Sequence, residues 1–370
     1  MARIVYGVSG EGAGHSSRAR EMITHLVAGG HEVKVASYDR GYRNLSGDFD
    51  ALEIEGLSLK SVDNQISAVK TFTDNVSRLG DGVRKLRELR RGLFKEFEPH
   101  AVITDFEPMT AYTANAFDLP LITIDNQHRM RYMRYPLPTR LRKDALVTES
   151  VIRLMVPKPD VSLVTTFYFG ELKNDRTFLF PPILRREVLE LVDAQRDRDG
   201  SGGHVLVYFT HGFESFHEHL RALSRERFIV YGPHAGGPGV DGNLEFKEPS
   251  RTGFLEDLVN ARAVISTAGF TLMTESLELH KPMLALPMKG QFEQELNALL
   301  LEDLACGRNG RQASLETVEA FLYRVPELRA RCSELPAHDG NRGITTKLDE
   351  LLADDARLAR EAHERRKNAR

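Results

Sequence analysis

The segment RIVYGVSGEGAGH, residues 3–15, decides the fold. Residues 3–8 form an apolar run that predicts a strand, and residues 16–29 have the periodicity of a helix. The glycines between them allow backbone N–H groups at the helix N-terminus to approach an anion or a polar substrate closely. The segment therefore predicts a strand, a ligand-binding loop and a helix, the opening unit of a parallel α/β domain.

The same alternation of apolar runs and helix-period stretches continues along the chain and occurs as two series. It predicts βαβ units and a parallel sheet in each half of the protein. The expected strands are residues 3–8, 32–36, 101–104, 121–124 and 161–164 in the first series, and 204–209, 228–231, 244–246, 263–266 and 283–286 in the second.

A chain of 370 residues is too long for one typical core and suits two domains. We expect one domain at residues 1–185 and a second at residues 204–344. The stretch RDRDGSGG is charged and rich in glycine and serine, which predicts a linker at residues 186–203. Residues 345–370 are expected to form a helix that ends in a solvated basic tail, and we assign this tail no chemistry.

Composition excludes several classes of protein. Apolar content of 41% and charged content of 28% are those of a globular protein, and no stretch has the roughly 20 apolar residues of a membrane helix. The first residues lack the features of a signal peptide, so we expect a cytoplasmic location. A net charge of -3 argues against nucleic acid as a partner. Cys306 and Cys332 lack metal-ligand spacing, and we expect reduced thiols and no metal site.

The first glycine loop does not match the dinucleotide fingerprint. The motif G-x-G-x-x-G, begun at Gly10 or at Gly12, requires its third glycine at position 15 or 17, where this chain has His15 or Ser17. Asp39 could still serve as the acidic residue that binds a ribose, which leaves an NAD interpretation open. His15 lies where the loop meets the helix, and an imidazole there can take a proton near neutral pH. The alternative role for His15 is that of a helix-capping residue.

A second anion site is expected after the strand at residues 263–266. The small residues of TAGFT leave free N–H groups at a helix start, which suits a diphosphate. Glu275, about one turn into that helix, can accept hydrogen bonds from vicinal hydroxyls such as those of ribose, or can simply stabilise the helix dipole. Glu293 and Gln294 follow the strand at residues 283–286, at the sheet edge where open α/β sheets bind ligands.

The runs STAGFTLMTES, HKPMLALP and GQFEQELNA resemble the donor-binding signature of GT-B glycosyltransferases. They are similar to the plant secondary-product transferases and to the bacterial enzyme that adds N-acetylglucosamine to the lipid-linked peptidoglycan precursor. The resemblance implies an α/β fold of two Rossmann-like domains facing across a cleft, with the C-terminal helix packing on the N-terminal domain. It implies a metal-independent, inverting hexosyltransferase that needs no cofactor, takes a nucleotide sugar such as a UDP-sugar and serves a cell-envelope glycoconjugate. The first domain would bind the acceptor and the second the donor.

The resemblance also assigns roles to single residues. Gly269, Phe270 and Thr271 would hold the diphosphate, Glu275 the ribose, and the Glu293–Gln294 pair the sugar hydroxyls. TGFLEDL resembles the loop that reads uracil, and SGEGAGH resembles the glycine loop whose histidine lies at the reaction centre. The expected donor-binding residues are Gly12, Gly14, His211, Phe254, Leu255, Thr267, Gly269, Phe270, Thr271, Glu275, Glu293 and Gln294. The plant signature has His and Trp-Asn-Ser where this chain has Thr267 and Phe270-Thr271-Leu272, so one side-chain phosphate contact is lost.

The motifs ITDFEP and IDNQH, residues 103–108 and 124–128, also resemble a bacterial and archaeal group of predicted glycosyltransferases. They place acidic residues just after two expected strands. We expect His15 to be the general base, oriented by Asp105 as in a His-carboxylate pair. Asp105 itself is the second candidate and Glu107 the third, with turn formation beside Pro108 as the alternative for Glu107.

Residues 129–143 hold six basic and no acidic side chains among Met, Tyr, Leu and Pro. The segment begins after His128, and we expect His128, Arg129 and Arg131 on the acceptor side. Such a segment can rest on anionic headgroups at the inner membrane face, clasp a lipid-linked or anionic acceptor, or form a solvated loop.

Three rival functions remain open at this stage. A nucleotide-sugar epimerase of the same fold relies on several acidic residues around the sugar, and few acidic residues lie at the expected cleft edge. A non-catalytic nucleotide-sugar binder need not keep His15, Glu275 and the Glu293–Gln294 pair together. An NAD oxidoreductase is disfavoured by the second anion loop in the other domain.

Overall fold

The computed structural model describes residues 1–11, 14–56, 61–62, 65–66, 79–195, 203–210, 215–232, 234, 236–248, 250–336 and 340–369. Two compact units divide the chain. Unit 1 comprises residues 1–185 together with 339–370, and unit 2 comprises residues 186–338. Among the described residues, no helix combines the length and the apolar character that crossing a membrane requires.

Each unit is built on one sheet of seven strands. In unit 1 the strand order is β3-β2-β1-β6-β7-β8-β9, and all neighbours are parallel. In unit 2 the order is β12-β13-β11-β10-β14-β15-β16, and only the β12–β13 pair is antiparallel. The strands are β1 Arg3–Val8, β2 Glu32–Ser37, β3 Ala51–Glu53, β4 Ser61–Val62, β5 Gln65–Ile66, β6 Ala101–Asp105, β7 Leu121–Asp125, β8 Val161–Thr165, β9 Thr177–Phe180, β10 Val205–Tyr208, β11 Phe228–Tyr231, β12 Gly239–Asp241, β13 Leu244–Lys247, β14 Ala263–Ser266, β15 Met283–Ala285 and β16 Gly307–Asn309.

Helices connect the parallel strands, as βαβ units require. They are α1 Gly14–Ala28, α2 Asp39–Leu45, α3 Leu79–Leu89, α4 Pro108–Ala116, α5 His128–Tyr132, α6 Arg142–Met155, α7 Arg186–Gln195, α8 Phe216–Ala222, α9 Arg251–Asn260, α10 Phe270–Glu278, α11 Phe292–Asp303, α12 Leu315–Glu334 and α13 Asn341–Asn368, with a π-helical turn at Arg90–Glu96 and a 3₁₀ turn at Thr139–Leu141. Helix α13 is interrupted by non-helical backbone from Ala353 to Ala356.

The expected linker at residues 186–203 differs from the structure in its first part. Residues 186–195 form helix α7, because REVLELVDAQ carries the i, i+3, i+4 apolar spacing of an amphipathic helix. Residues 196–202, the core of the Gly/Ser-rich stretch, lie outside the described residues.

The basic C-terminal tail is also corrected. Helix α13 continues to Asn368, and its apolar side packs into the core of unit 1 against α1, β6, β7 and β8. Near its end, His363 is buried and its two ring nitrogens contact Asp160 and Asp118 at 3.0 and 3.1 Å. Arg366 is paired with the buried carboxylate of Asp160. The helix end is therefore docked and not a solvated tail, because the buried Asp160 needs cationic partners.

Strand register brings the first glycine loop beside the end of β6. Val8 at the end of β1 is level with both Ser37 of β2 and Asp105 of β6. The N–H of Ser9 donates to the Asp105 carbonyl at 3.1 Å. A Cβ at Gly10 would lie 2.2 Å from the Tyr38 carbonyl oxygen, so close backbone packing itself requires glycine at this position.

Candidate functional site

His15 and Asp105 form a hydrogen-bonded pair at the carboxyl ends of the unit 1 strands. His15 is the second residue of α1, and Asp105 is the last residue of β6. The His15 Nδ1 and the Asp105 Oδ1 are 2.7 Å apart. The Asp105 carboxylate is fully buried, whereas 13% of the His15 side chain is exposed. The Arg18 Nη2 also lies 3.0 Å from Nδ1, but the shorter contact is with the Asp105 carboxylate, which can only accept. We therefore assign the proton to Nδ1, which leaves Nε2 as the basic nitrogen.

Arg18 completes this cluster, although it is not among the site residues predicted from the sequence. Its Nε donates to Asp105 Oδ2 at 2.7 Å and its Nη2 to Asp105 Oδ1 at 2.5 Å, a bidentate pair. Its Nη1 donates to Asn126 Oδ1 at 3.1 Å, which ties the end of β6 to the residue after β7. A signal was present, because the i, i+3 spacing of His15 and Arg18 places both on one helical face.

The guanidinium decides the charge of Asp105. Burial by itself raises the pKa of this carboxyl, but the charges of Arg18 and His15 and their hydrogen bonds outweigh it. The pKa of Asp105 is therefore held below its usual value. Both of its oxygens accept hydrogen bonds, from the Arg18 guanidinium and from His15.

Glu107, the third predicted base, caps a helix. Its carboxylate accepts from the N–H of Met109 at 2.8 Å, and from the N–H and hydroxyl of Thr110 at 2.7 and 2.6 Å. The side chain is fully buried, and burial raises its pKa to about 6 although these hydrogen bonds oppose the shift. The left-handed backbone of Phe106, at φ 55°, separates Glu107 from the Asp105 cluster. Both oxygens are used by the N-terminus of α4, so the structure gives Glu107 a local capping role, and base catalysis by Glu107 stays a prediction.

The three residues expected on the acceptor side are not brought together as one surface. His128 is buried, and its backbone N–H and Nδ1 contact the Asp125 carboxylate at 2.8 and 2.7 Å. Arg129 is also buried, with its guanidinium over the Phe167 ring. Arg131 lines a cavity elsewhere in unit 1. The basic stretch at residues 129–143 is therefore not a continuous solvent-exposed segment, because α5 turns its first arginine inward.

The second glycine loop lies at the carboxyl end of β14 in unit 2. Gly269 is the N-cap of α10, and its φ of -69° suits any residue. A Cβ added there would meet none of the described atoms within 4 Å. Neither packing nor backbone conformation therefore requires glycine, and the first turn of α10, with Phe270 and Thr271, keeps an accessible N-terminus. The buried Asn297 donates to the Ala268 carbonyl at 2.8 Å and ties this loop to α11.

The polar residues predicted around this loop differ in how deeply their side chains are buried. Glu275 is buried, in the second turn of α10, and Thr267 is buried before it. Glu293 and Gln294 are half-buried in the first turn of α11. The side-chain oxygen of Gln294 accepts from the N–H of Met288 at 2.9 Å, so Gln294 also closes its own loop.

An aromatic cluster lies at the ends of β10 and β11. The Phe254 ring meets those of Tyr208 and Tyr231 edge-on, with centroid distances of 5.4 and 5.1 Å. Phe254 is expected near the base from the sequence, whereas the two tyrosines are not among the predicted residues. Leu255, the other residue expected near the base, is buried in unit 2, where its side chain belongs to the hydrophobic core.

Two further predicted donor residues, Gly12 and His211, lie outside the described residues. Gly14 is the first residue of α1, directly before His15. The structure thus brings His15, Asp105 and Arg18 together in unit 1. In unit 2 it gathers the residues of the second glycine loop.

Comparison with known proteins gives consistent matches. The family model described as Glycosyl transferase family 1 matches residues 2–326. An uncharacterized glycosyltransferase of Methanosarcina mazei is 26% identical over 387 residues, which cover 94% of this chain and 98% of that protein. The solved glycotransferase of kitacinnamycin has a TM-score of 0.67 at 18% identity and covers 94% of this chain and 98% of its own. The spinosyn rhamnosyltransferase SpnG complexed with thymidine diphosphate has a TM-score of 0.61 at 14% identity, covering 94% and 100%.

The solved structures confirm the expected GT-B class of α/β fold. The family model and the named relatives confirm a glycosyltransferase, an enzyme of the EC 2.4 class. The family match spans both glycine loops, with His15 after the first and Gly269 in the second. The chain therefore belongs to glycosyl transferase family 1.

Proposed function

We propose that this glycosyltransferase moves a sugar from a nucleotide diphosphate sugar, with UDP as the nucleotide, to an acceptor hydroxyl, with inversion and with His15 as general base. The observation that carries the proposal is the hydrogen-bonded His15–Asp105–Arg18 cluster. The buried Asp105 carboxylate holds the Nδ1 side of an imidazole that is 13% exposed, and leaves Nε2 to act as the base. This arrangement has the roles of a base and its orienting carboxylate.

The chemistry needs one base and one site for developing negative charge. The His15 Nε2 takes the proton from the acceptor hydroxyl while the acceptor oxygen bonds to the anomeric carbon. The bond from that carbon to the diphosphate oxygen breaks, and its electron pair leaves with the nucleoside diphosphate. Attack from the face opposite the leaving group inverts the sugar carbon.

The second glycine loop supports the donor half of the proposal. The N-terminus of α10 carries partial positive charge and has no side-chain cap at Gly269, which suits it to stabilise a diphosphate as it leaves. Phe254, with its tyrosine neighbours, offers an aromatic surface for a pyrimidine base. A structural neighbour is complexed with thymidine diphosphate, which shares the pyrimidine and the diphosphate with UDP.

Binding calorimetry with UDP and turnover of UDP-sugars test the proposal together. Transfer to water, measured as UDP release, provides an assay that needs no acceptor. We expect His15→Ala to lower that rate by about 10²- to 10⁴-fold and to leave the UDP Kd unchanged. Glu275→Ala should weaken UDP binding. The matched control is His25→Ala on the same helix, whose imidazole pairs with Asp349 at the surface.

Three outcomes would contradict the proposal. Absence of nucleoside diphosphate binding removes the donor, and an undiminished rate in His15→Ala removes the base. Appearance of a second nucleotide sugar in the acceptor-free reaction would instead identify an epimerase of the same fold.

We also propose a peripheral membrane contact through helix α6. Leu146 and Leu154 are each 68% exposed on this helix, and Val147 is exposed beside Leu146. Arg142 and Lys143 begin the same helix and supply the charge that anionic lipids attract. Sedimentation with phosphatidylglycerol vesicles tests this contact, and Leu146→Ser/Val147→Ser should reduce the bound fraction. Equal sedimentation of the variant and the wild type would contradict it.

A further inference from the structure

Unit 1 contains a cavity of about 870 Å³ that the proposed reaction does not use. It is bounded by the ends of α5 and α6, the start of β8, the segment before β9 and both parts of α13. Neither His15, Asp105 nor Arg18 lines it. The cavity includes Asp160, which precedes β8, whereas the His15 cluster lies at the opposite, carboxyl ends of β1 and β6.

Positive charge dominates the lining. Seven arginine and lysine side chains face the cavity, against the two carboxylates Asp160 and Asp175. Asp160 is already paired with Arg366 and His363, and Lys347 is paired with Glu350 at 2.7 Å. Within the described part of the chain, the remaining five cations have no carboxylate within salt-bridge distance. They are Arg131, Arg153, Lys158, Arg176 and Arg365.

Arg131 is the most deeply placed of these five. Its Nη1 is buried and has no hydrogen-bond partner among the described residues. The pKa of Arg131 lies below its usual value because burial removes water from the guanidinium, and because Arg153 and Arg176 repel its charge. An unsatisfied buried donor in a repulsive field is unfavourable, and a bound anion would relieve both effects.

The structure offers three internal sources of compensating negative charge, and all are small. Asp175 supplies one carboxylate, Glu149 acts on Arg131 but is also paired with Lys173 at 3.6 Å, and the C-terminal end of α13 supplies about half a negative charge. Together they do not neutralise the five cations. Water screens the exposed cations, so the half-buried Arg131 is the one that gains most from a ligand with more than one negative charge.

The remaining lining is apolar. Phe178, Leu351, Leu358 and Ala362 form a floor between the cations, and the Lys347 ammonium lies 4.7 Å from the Phe178 ring centroid. A cavity of this volume with an apolar floor and a few convergent polar groups has the character of a small-molecule site. Its chemistry fits an organic body that carries a phosphate or a diphosphate, because arginine forks bind phosphate oxygens bidentately.

We infer that this cavity is a second anion-binding site, which takes the phosphate or diphosphate group of an organic ligand on Arg131, Arg153 and Arg176. It is separate from the donor loop, which belongs to unit 2. Two sources can supply the group, a soluble phosphorylated metabolite or a lipid headgroup, and the experiment distinguishes them.

The test is calorimetric titration of the full-length protein with inorganic pyrophosphate. Arg153→Gln/Arg176→Gln removes two exposed lining cations, and we expect it to weaken binding about tenfold or more. Lys95→Gln/Arg225→Gln is the matched control, since it makes the same charge change at exposed positions outside the lining. Pyrophosphate bound at the donor loop contributes equally to both variants, so the difference between them reports the cavity.

The same proteins are then sedimented with phosphatidic acid vesicles. Sedimentation that requires Arg153 and Arg176, and that pyrophosphate reverses, assigns the site to a lipid headgroup. Pyrophosphate binding without such sedimentation assigns it to a soluble ligand. Equal losses in the two double variants, or no binding of either probe by the wild type, would overturn the inference. Should the test variant fail to fold, Arg365→Gln provides the same comparison from helix α13, with Arg225→Gln as its control.

Discussion

At the scale of single residues, the His15 cluster depends on a buried ion pair. A buried carboxylate without its cation is strongly unfavourable, whereas the pair together is tolerated. Arg18 therefore has two effects. It keeps Asp105 ionised, and it fixes the position from which Asp105 holds the imidazole of His15.

Arg18→Gln tests this role. Because Asp105 would remain buried without its cation, we expect the free energy of unfolding at pH 7 to fall by about 3–5 kcal/mol. UDP release should fall as well, because His15 loses its oriented carboxylate. Arg20→Gln on the same helix removes only a partly exposed pair with Asp48 and should cost less than about 1 kcal/mol. Denaturant unfolding measures the free energy of unfolding of both variants. Equal losses of stability would show that the buried pair contributes no more than the partly exposed one.

The sign of the pH dependence of Asp105 follows from its depressed pKa. Its contribution to stability is present above the pKa of the unfolded chain, about 3.9, and is lost as the pH falls through the lower folded value. In Arg18→Gln this acid-side loss should be smaller, since only His15 then lowers the pKa of Asp105 against the effect of burial.

Glu107 gives a prediction of the opposite sign. Its pKa is raised from 4.5 to about 6 in the fold, so folding disfavours its ionised form. Stability should therefore decrease as the pH rises through this interval, by about 2 kcal/mol in full and by about 1 kcal/mol between pH 5 and pH 7. Glu107→Gln cannot ionise and should lack this component. Urea unfolding of both proteins at pH 5 and pH 7 measures it, and identical pH dependence would refute the assignment.

At the scale of elements, helix α13 belongs to the core of unit 1. Ile344, Leu348 and Leu352 are fully buried against the strands, and the backbone break at Ala353–Ala356 precedes the part that carries His363 and Arg366. Residues before and after this break pack against unit 1, so the whole helix forms part of its folded structure. The same helix supplies one wall of the anion cavity.

Leu348→Ala tests the contribution of this layer. Removal of a fully buried leucine leaves a cavity in close-packed surroundings, and we expect a loss of about 2–5 kcal/mol in the free energy of unfolding. Thr346→Ala, at an exposed position two residues earlier, should change it by less than about 0.5 kcal/mol. Thermal and denaturant unfolding check both variants. A small effect of Leu348→Ala would mean that α13 is not part of the cooperative unit.

At the scale of the whole molecule, each unit has its own sheet and its own apolar core. Residues 186–338 contain the complete second sheet and the second glycine loop. We therefore expect a protein of residues 186–338 alone to fold and to bind UDP within about tenfold of the full chain. Circular dichroism and calorimetry measure this, with Glu275→Ala in the same fragment as the control. A folded fragment without UDP affinity would place essential donor contacts in unit 1.

Much of the fold follows from local pattern. Apolar periodicity predicts β1, β11 and β14 at their observed bounds, and the other long strands within a residue or so. The strands β3, β12 and β16 escape prediction, because each has three residues without an apolar run, and β9 is missed as well. The helix at Arg186–Gln195 is hidden by the Gly/Ser-rich stretch that follows it.

The sequence by itself determined the α/β class, the two series of strands, both glycine loops and the family resemblance, because these depend on neighbouring residues. Only the tertiary structure decided that Asp105 pairs with Arg18, that Glu107 caps a helix, that Arg129 turns inward and that five cations surround one cavity. These facts depend on strand register and on contacts between residues far apart in the chain, such as Asp160 and Arg366. Local pattern carries no information about such distances, and burial, which sets the charge of each group, exists only once the chain has folded.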